Sequence, residues 1–370
     1  MSKGMVLVTG AMGTVGQYAV GELLARGYKV RATDICCSGG EFALSDGGYS
    51  YEQGDLCDPE FASRVVRGAD YIIHLAAIID VGLGWKDLCR LNYHAVRALY
   101  FAAAEAKAKV FVFASSGSIY APTNNVRDEN ARLKTYAEAS AYELTKLLAE
   151  EALRDDRAAM LAAGQPAPDF VIIRPALIYG PRNKFLAAVY LAIAVILHEL
   201  FGDHAPLLMG GPKTNMVHAE DVAAAAIYCM CHMPTWGQTY NVADDSPLGF
   251  GDEVTAMAHG LGYKTNGPII PLPGPGVIGL TAPIYNRGVV LALSNKALGF
   301  EWSRIAKAHG IKPPFCPSLN TGMTPFFGNH TIFSNQKLKD AGFRFKHPRF
   351  AEGFKDVAKW YQNNGWAPKP

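Results

Sequence analysis

The segment Met5-Val6-Leu7-Val8-Thr9-Gly10-Ala11-Met12-Gly13-Thr14-Val15-Gly16 leaves the chain little freedom in how to begin folding. A short apolar run of this kind reads as a parallel strand buried on both faces. It breaks at Gly10, after which Val15, Ala19, Val20, Leu23 and Leu24 fall on one side of a helix as far as Arg26. Glycines at a strand-to-helix turn let the backbone approach a pyrophosphate, which then sits on the amides of the helix N-terminus. The spacing is Gly-x-x-Gly-x-x-Gly, not the commoner Gly-x-Gly-x-x-Gly, so the triplet alone separates poorly from a plain tight turn. The strand before it and the helix after it supply the missing context.

The next strand, Lys29-Val30-Arg31-Ala32-Thr33-Asp34, ends in an acid 18 residues after Gly16. A carboxylate about 20 residues past such glycines accepts hydrogen bonds from an adenosine ribose. It would repel a 2′-phosphate, so the pattern predicts NAD over NADP. Arg31 stands early in the strand for a phosphate clamp.

A second signal lies near the middle of the chain. Of 17 tyrosines, Tyr142 is the only one with a lysine four residues downstream, Lys146. Positions i and i+4 share a helix face, and a neighbouring cation stabilises a phenolate, making tyrosine usable as an acid or base near neutral pH.

Composition narrows the class. Charged residues make up 18% of the 370, against about 25% in ordinary soluble proteins, and mean hydropathy is +0.05. Net charge is +2, and no basic run is interleaved with aromatics, which argues against a nucleic-acid partner. Met1-Ser2-Lys3-Gly4 leads directly into the first strand without a signal peptide. The seven cysteines are odd in number and lack paired Cys-x-x-Cys spacing, so a reducing, cytoplasmic setting is expected. Cys36 and Cys37 should lie beside an adenosine held by Asp34. No metal site is expected, because His198 and His204 are six apart where a helical zinc motif needs four.

Strands and helices alternate over the first ~175 residues, which predicts a doubly wound α/β parallel sheet, the Rossmann fold. Strands are expected at Ser50–Gly54, Tyr71–Ala77, Val110–Ala114 and Phe170–Arg174, with helices over 85–106 and 138–163. The dinucleotide-binding domain should span 1–185, completed by 213–245. Residues 186–212 and 246–370 should form a smaller, mostly C-terminal substrate lobe. Phe185 to Leu197 is 13 residues without a charge, too short for the ~20 a bilayer span needs. It reads as a buried helix, the wall of an apolar pocket, or an interfacial membrane contact.

Several elements occur in a telling order: Gly10-x-x-Gly13-x-x-Gly16, Asp55-Leu56, His74-Leu75-Ala76-Ala77, Ser115-Ser116 before Tyr120, Tyr142-x-x-x-Lys146, and Arg174-Pro175-x-x-x-Tyr179-Gly180-Pro181. Val217-His218-x-x-Asp221 and Tyr240-Asn241-Val242 follow. Over roughly residues 5–245 the chain resembles an extended short-chain dehydrogenase/reductase, of the branch that contains 3β-hydroxysteroid dehydrogenases. The resemblance implies Tyr142 as general acid/base, Lys146 holding the nicotinamide ribose, and Ser116 holding the substrate oxygen. It also implies a cofactor trough made by Gly10, Met12, Gly13, Thr14, Val15, Gly16, Asp34, Asp55, Leu56, Leu75, Ala76, Ala77, Pro175 and Ile178, together with Tyr142 and Lys146. Asn92 would prop up the active-site backbone, and His218 reads by default as a core histidine bonded to backbone. Homodimerisation through the two long helices is implied as well.

Sugar-nucleotide members of that family place an asparagine where this chain has Leu177, and an Arg-Asp-Phe/Tyr where it has Thr214-Asn215-Met216. A buried diphosphate without partners is very costly. The expected reaction is therefore interconversion of a secondary alcohol and a ketone on a bulky apolar substrate. That substrate would be a 3β-hydroxysteroid or sterol, a 3β-hydroxy-4-carboxysterol with decarboxylation, or a long-chain 3-hydroxy/3-oxo acid. A nucleotide-sugar 4-epimerase or dehydratase is the alternative. A membrane-partitioned substrate would add a peripheral membrane contact.

Overall fold

The computed structural model describes residues 3–36, 48–79, 83–275, 288–319 and 328–370. Its first half runs β1 (Met5–Thr9), α1 (Gly16–Ala25), β2 (Lys29–Asp34), β3 (Tyr49–Gln53), α2 (Pro59–Val66) and β4 (Tyr71–His74). Then come α3 (Trp85–Cys89), a π-helical segment Arg90–Ala95, α4 (Val96–Glu105), β5 (Val110–Ala114), α5 (Ala141–Ala162) and β6 (Asp169–Pro175). The second half contributes β7 (Leu177–Tyr179), α6 (Leu186–Phe201), β8 (Leu207–Gly210), β9 (Lys213–Thr214), β10 (Met216–His218) and α7 (Ala219–Cys231). It ends with β11 (Thr239–Val242), β12 (Leu248–Gly249), α8 (Phe250–Gly260), β13 (Ile269–Leu272), a helix over Gly288–Ala308 and a C-terminal helix Phe350–Asn363.

Seven strands form one sheet in the order β11-β6-β5-β4-β1-β2-β3, all parallel. Alternation along each strand sends neighbours to opposite faces. Val6 and Val8 pack under α1 and α7 with Ile73, Val112 and Val222. Leu7 packs the other way with Ile72, Phe111, Val65, Leu99 and Leu153 from α2, α4 and α5. The doubly wound sheet is as expected; β4 ends at His74 rather than Ala77, because the chain leaves the ladder to line a crevice. Strand order reverses between β1 and β4, and such a switch point opens a crevice at the carboxyl ends of the strands.

A further apolar core joins α6, α8 and the C-terminal helix, where Tyr190, Val195, Met257, Phe350 and Phe354 are all buried. Of the uncharged stretch 185–197, residues 186–192 and 194–195 are buried and Phe185 is exposed. At about 1.5–3 kcal/mol per large apolar side chain removed from water, core packing accounts for most of its composition. The apolar run Gly276–Leu280 lies outside the described residues.

Candidate active site

A cleft of about 880 Å³ runs along the carboxyl ends of β1, β2, β4, β5 and β6. Every site residue expected from sequence lines it, from Gly10, Met12, Gly13, Thr14, Val15 and Gly16 through Asp34, Asp55, Leu56, Leu75, Ala76 and Ala77 to Ser116, Tyr142, Lys146, Pro175 and Ile178. The glycine turn closes only because it lacks side chains. Gly10 has φ +67°, and a Cβ there would meet the Ala76 amide nitrogen at 2.7 Å. A Cβ on Gly16 would lie 2.1 Å from the Gly10 carbonyl oxygen. The N-terminus of α1 has no side-chain cap and no acid in its first turn, which leaves its amide end suited to an anion.

At the far end of β2 the Asp34 carboxylate accepts from the Met12 amide at 2.9 Å and the Cys36 amide at 3.3 Å, so it is fixed against the glycine turn. Arg31 is not a phosphate clamp: its guanidinium donates to the carbonyls of Val65 and Arg67 at 2.8 and 2.7 Å and does not line the cleft. The Cys57 amide and the Arg90 guanidinium hold the Asp55 carboxyl below its usual range. Cys36 lines the cleft, whereas Cys37 lies outside the described residues. A glycine cradle, an open helix end and an immobilised ribose-side carboxylate together fit a dinucleotide.

At the other end, α5 starts with a capping box: Ser140 Oγ accepts from the Glu143 amide at 3.4 Å and Glu143 Oε2 from the Ser140 amide at 2.9 Å. That cap fixes Tyr142 in the first turn and Lys146 in the second. Ser116 caps the short turn Gly117–Ile119, its Oγ accepting from the Ser118 amide at 3.2 Å, and it stands near enough to Tyr142 to influence the phenol. Asn92, in the π-helical segment, accepts from the Ile78 amide and donates to the Ile78 carbonyl, each at 2.9 Å, and reaches Thr145 Oγ1 at 3.3 Å. It thereby ties the cleft wall to α5.

The electrostatics depart from expectation. Burial pushes the Tyr142 phenol up to about 12; the Ser116 hydroxyl pulls it down and Glu143 pushes it further up. Lys146 is anchored to the backbone beside it. Its Nζ donates to the Ala114 carbonyl at 2.8 Å, and burial drives the amine itself down to about 7 against the opposing charge of Glu150. Beneath it, Glu150 accepts from Arg174 at 2.6 and 2.9 Å. Arg174 also donates to Tyr120 Oη at 2.8 Å, and Tyr120 to Asn241 Oδ1 at 2.7 Å. This buried network fixes the end of β6 to α5 just before Pro175.

Sequence reasoning missed part of the lining. Arg182, Asn183 and Lys184 follow β7, and Phe333, Trp360 and Trp366 come from the C-terminal part of the chain. No spacing rule connects these positions; only the tertiary fold brings them to one wall. His218 Nδ1 accepts from the Glu220 amide at 3.1 Å, capping α7, as its default reading predicted. With Glu220 and His347 it forms a cluster of potential metal donors that does not line the cleft. Among the described residues no helix is long and apolar enough to cross a membrane.

Comparison with known proteins agrees with this geometry. The chain is 25% identical over 370 residues to a ceramide reductase of Caulobacter vibrioides, covering 100% of this chain and 98% of that one. It is 25% identical over 263 residues to a decarboxylating sterol-4-alpha-carboxylate 3-dehydrogenase of Bos taurus, covering 70% of each. Among solved structures, UDP-glucose 4-epimerase of Thermus thermophilus in complex with NAD superposes with a TM-score of 0.65 at 20% identity, over 97% of this chain and 99% of that one; at this identity the likeness concerns the fold. A model of the NAD dependent epimerase/dehydratase family matches residues 6–243. The chain therefore belongs to that family, an NAD-dependent enzyme acting on CH–OH groups with the 3β-hydroxysteroid dehydrogenase-like branch among its relatives.

Proposed function

We propose that the enzyme interconverts a secondary alcohol and a ketone on a bulky lipid, either a sterol-like molecule or one with a long-chain 3-hydroxy/3-oxo unit. The observation that carries this reading is the apolar lining that Leu177, Phe185, Leu186, Phe333 and Trp366 give to the cleft that also holds Tyr142 and Ser116. The relative matching the whole chain is named for reducing a ceramide, and another for oxidising a sterol carboxylate.

When bound, NAD supplies or accepts hydride at its nicotinamide ring. The glycine turn would receive the diphosphate and Asp34 the adenosine ribose, favouring NAD over NADP. Asp55 and Leu56 would flank the adenine. Leu75, Ala76, Ala77, Pro175 and Ile178 would line the nicotinamide half, with Lys146 on its ribose. Ser116 would hold the substrate oxygen beside Tyr142. A phenol pushed up to about 12 carries its proton at neutral pH, which suits donation to a ketone oxygen as hydride arrives. In the reverse direction the same oxygen accepts the proton of the alcohol as hydride leaves.

The second reading, a nucleotide-sugar epimerase, draws on the family itself and on the cation Lys184 in the cleft. Polar groups that would meet a sugar diphosphate are already engaged. The Asn215 amide donates to Asp244 at 2.8 Å and accepts from the Phe333 amide at 2.8 Å. The Asn183 amide is bonded to Ile178 and Phe185 at 3.0 Å each. Homodimerisation through α4 and α5, and a peripheral membrane contact where the lipid enters, belong to the same proposal.

The test is to follow absorbance at 340 nm with NADH or NAD, offering 3-oxo lipids, sterols and nucleotide sugars. An absorbance change with the lipids and none with the sugars is expected. Because an epimerase regenerates its NAD and leaves absorbance unchanged, the sugar incubations are also resolved by chromatography, and an epimerised or dehydrated sugar with inert lipids would replace this reading. Tyr142→Phe should cut turnover by about 10²–10⁴ while NAD affinity stays within a few fold. Undiminished turnover would rule out Tyr142 as the acid.

A further inference from the structure

Among the described residues, Arg182 is one of two non-glycine residues with positive φ, at 64°. The other, Lys107, simply follows the end of α4, its amide bonded to the Ala104 carbonyl at 3.0 Å. Arg182 lies instead in the turn Tyr179-Gly180-Pro181-Arg182-Asn183 after β7. Such a backbone is disfavoured for a residue with a Cβ and persists only where neighbours impose it. Here they do. The Asn183 amide donates to the Gly180 carbonyl at 3.2 Å. The Tyr361 hydroxyl, from the C-terminal helix, bonds the Gly180 and Asn183 carbonyls at 3.2 and 2.8 Å.

The imposed conformation aims the guanidinium back at the glycine turn. It donates to Gln17 Oε1, and Gln17 Nε2 donates to the Met12 carbonyl at 2.9 Å. On its other side it lies 5.9 Å from the centroid of the Trp360 ring. Arg182 lines the cleft together with Met12, Gly13 and Thr14, beside the uncapped N-terminus of α1.

We propose that Arg182 clamps the diphosphate of NAD, positioned by Gln17 from the glycine turn and by Trp360 and Tyr361 from the C-terminal helix. A guanidinium presents paired donors matched to phosphate oxygens, and the α1 amide end supplies complementary donors from the glycine side. The inference rests on the reading that NAD lies along this cleft. It adds that cofactor retention depends on residues 360–361, more than a hundred positions beyond the segment matched by the family model at 6–243.

Arg182→Gly separates the clamp from the fold, because glycine removes the side chain and relaxes the left-handed backbone. Calorimetric titration of the purified protein with NAD, ADP and adenosine reads the difference. The variant should bind NAD and ADP about 10–100-fold more weakly, as loss of charge-assisted bonds to phosphate implies. Adenosine affinity should stay within twofold, and the melting temperature should not fall. Trp360→Leu should weaken NAD and ADP by a smaller factor and again spare adenosine. NAD and ADP affinities within twofold of wild type in Arg182→Gly, or adenosine weakened as much as ADP, would overturn the clamp. Wild-type protein binding neither NAD nor ADP would instead overturn the cofactor's placement in the cleft.

Discussion

Lys146 and Tyr142 stand one helical turn apart, yet their ionisation follows burial more than proximity. Desolvation lifts the phenol to about 12 and lowers the amine to about 7, each toward its neutral form. The same force acts on Glu253 in α8, where neither carboxyl oxygen has a hydrogen-bond partner, and burial raises its pKa well above the usual carboxylate value. A carboxyl whose folded-state pKa is raised contributes stability fully below its unfolded value of about 4.3. That contribution is lost as pH rises, because only the unfolded chain releases the proton easily. Buried His74 and His218, with pKa values lowered to about 3, tilt the same window the other way, so urea melts between pH 5 and 8 read the carboxyl's downward slope as the difference between wild type and variant. Glu253→Met should flatten that slope and gain about 1–3 kcal/mol at pH 7. A parallel slope in the variant would mean the carboxyl is not the source.

At the scale of elements, the helical stretch 85–106 is continuous in sequence pattern but broken in the fold by the π-helical segment Arg90–Ala95. Such a segment shifts the register of side chains that follow, and it often sits at functional positions. Here it carries Asn92 to the backbone of Ile78 and to α5. Asn92→Ala would leave the Ile78 amide and carbonyl without those partners, at a cost of roughly 1–3 kcal/mol. Denaturant unfolding checks the stability, and steady-state kinetics should show kcat falling as the wall beside Tyr142 loosens. An unchanged midpoint together with unchanged kcat would remove the strut role. α6 carries the opposite lesson: the uncharged run is compatible with pocket, membrane or core, and only packing against α8 and the C-terminal helix puts most of it in the core, with Phe185 and Leu186 at the cleft.

For the whole molecule, the C-terminal helix matters because it returns to the first half of the fold. The Tyr361 hydroxyl is buried and shared between two carbonyls of the turn after β7. Tyr361→Phe should cost about 1–3 kcal/mol and, by loosening the turn that holds Arg182, weaken NAD binding several-fold. A thermal melt with and without saturating NAD checks both at once, the variant gaining less from the cofactor than wild type does. Equal gains would separate the helix from the cofactor site.

The sequence by itself determined the sheet, the glycine turn, Asp34 and the Tyr142–Lys146 pair, because each is set by local periodicity, turn sterics or spacing along one element; Ser116 was marked by the family resemblance. Tertiary structure alone decided that Arg31 is engaged by the Val65 and Arg67 carbonyls and that burial raises the phenol's pKa. It also decided that Arg182, Trp360 and Trp366 share a wall with the glycine turn. Those outcomes depend on solvent exclusion and on contacts between segments 34 to 165 residues apart, and no local pattern encodes either.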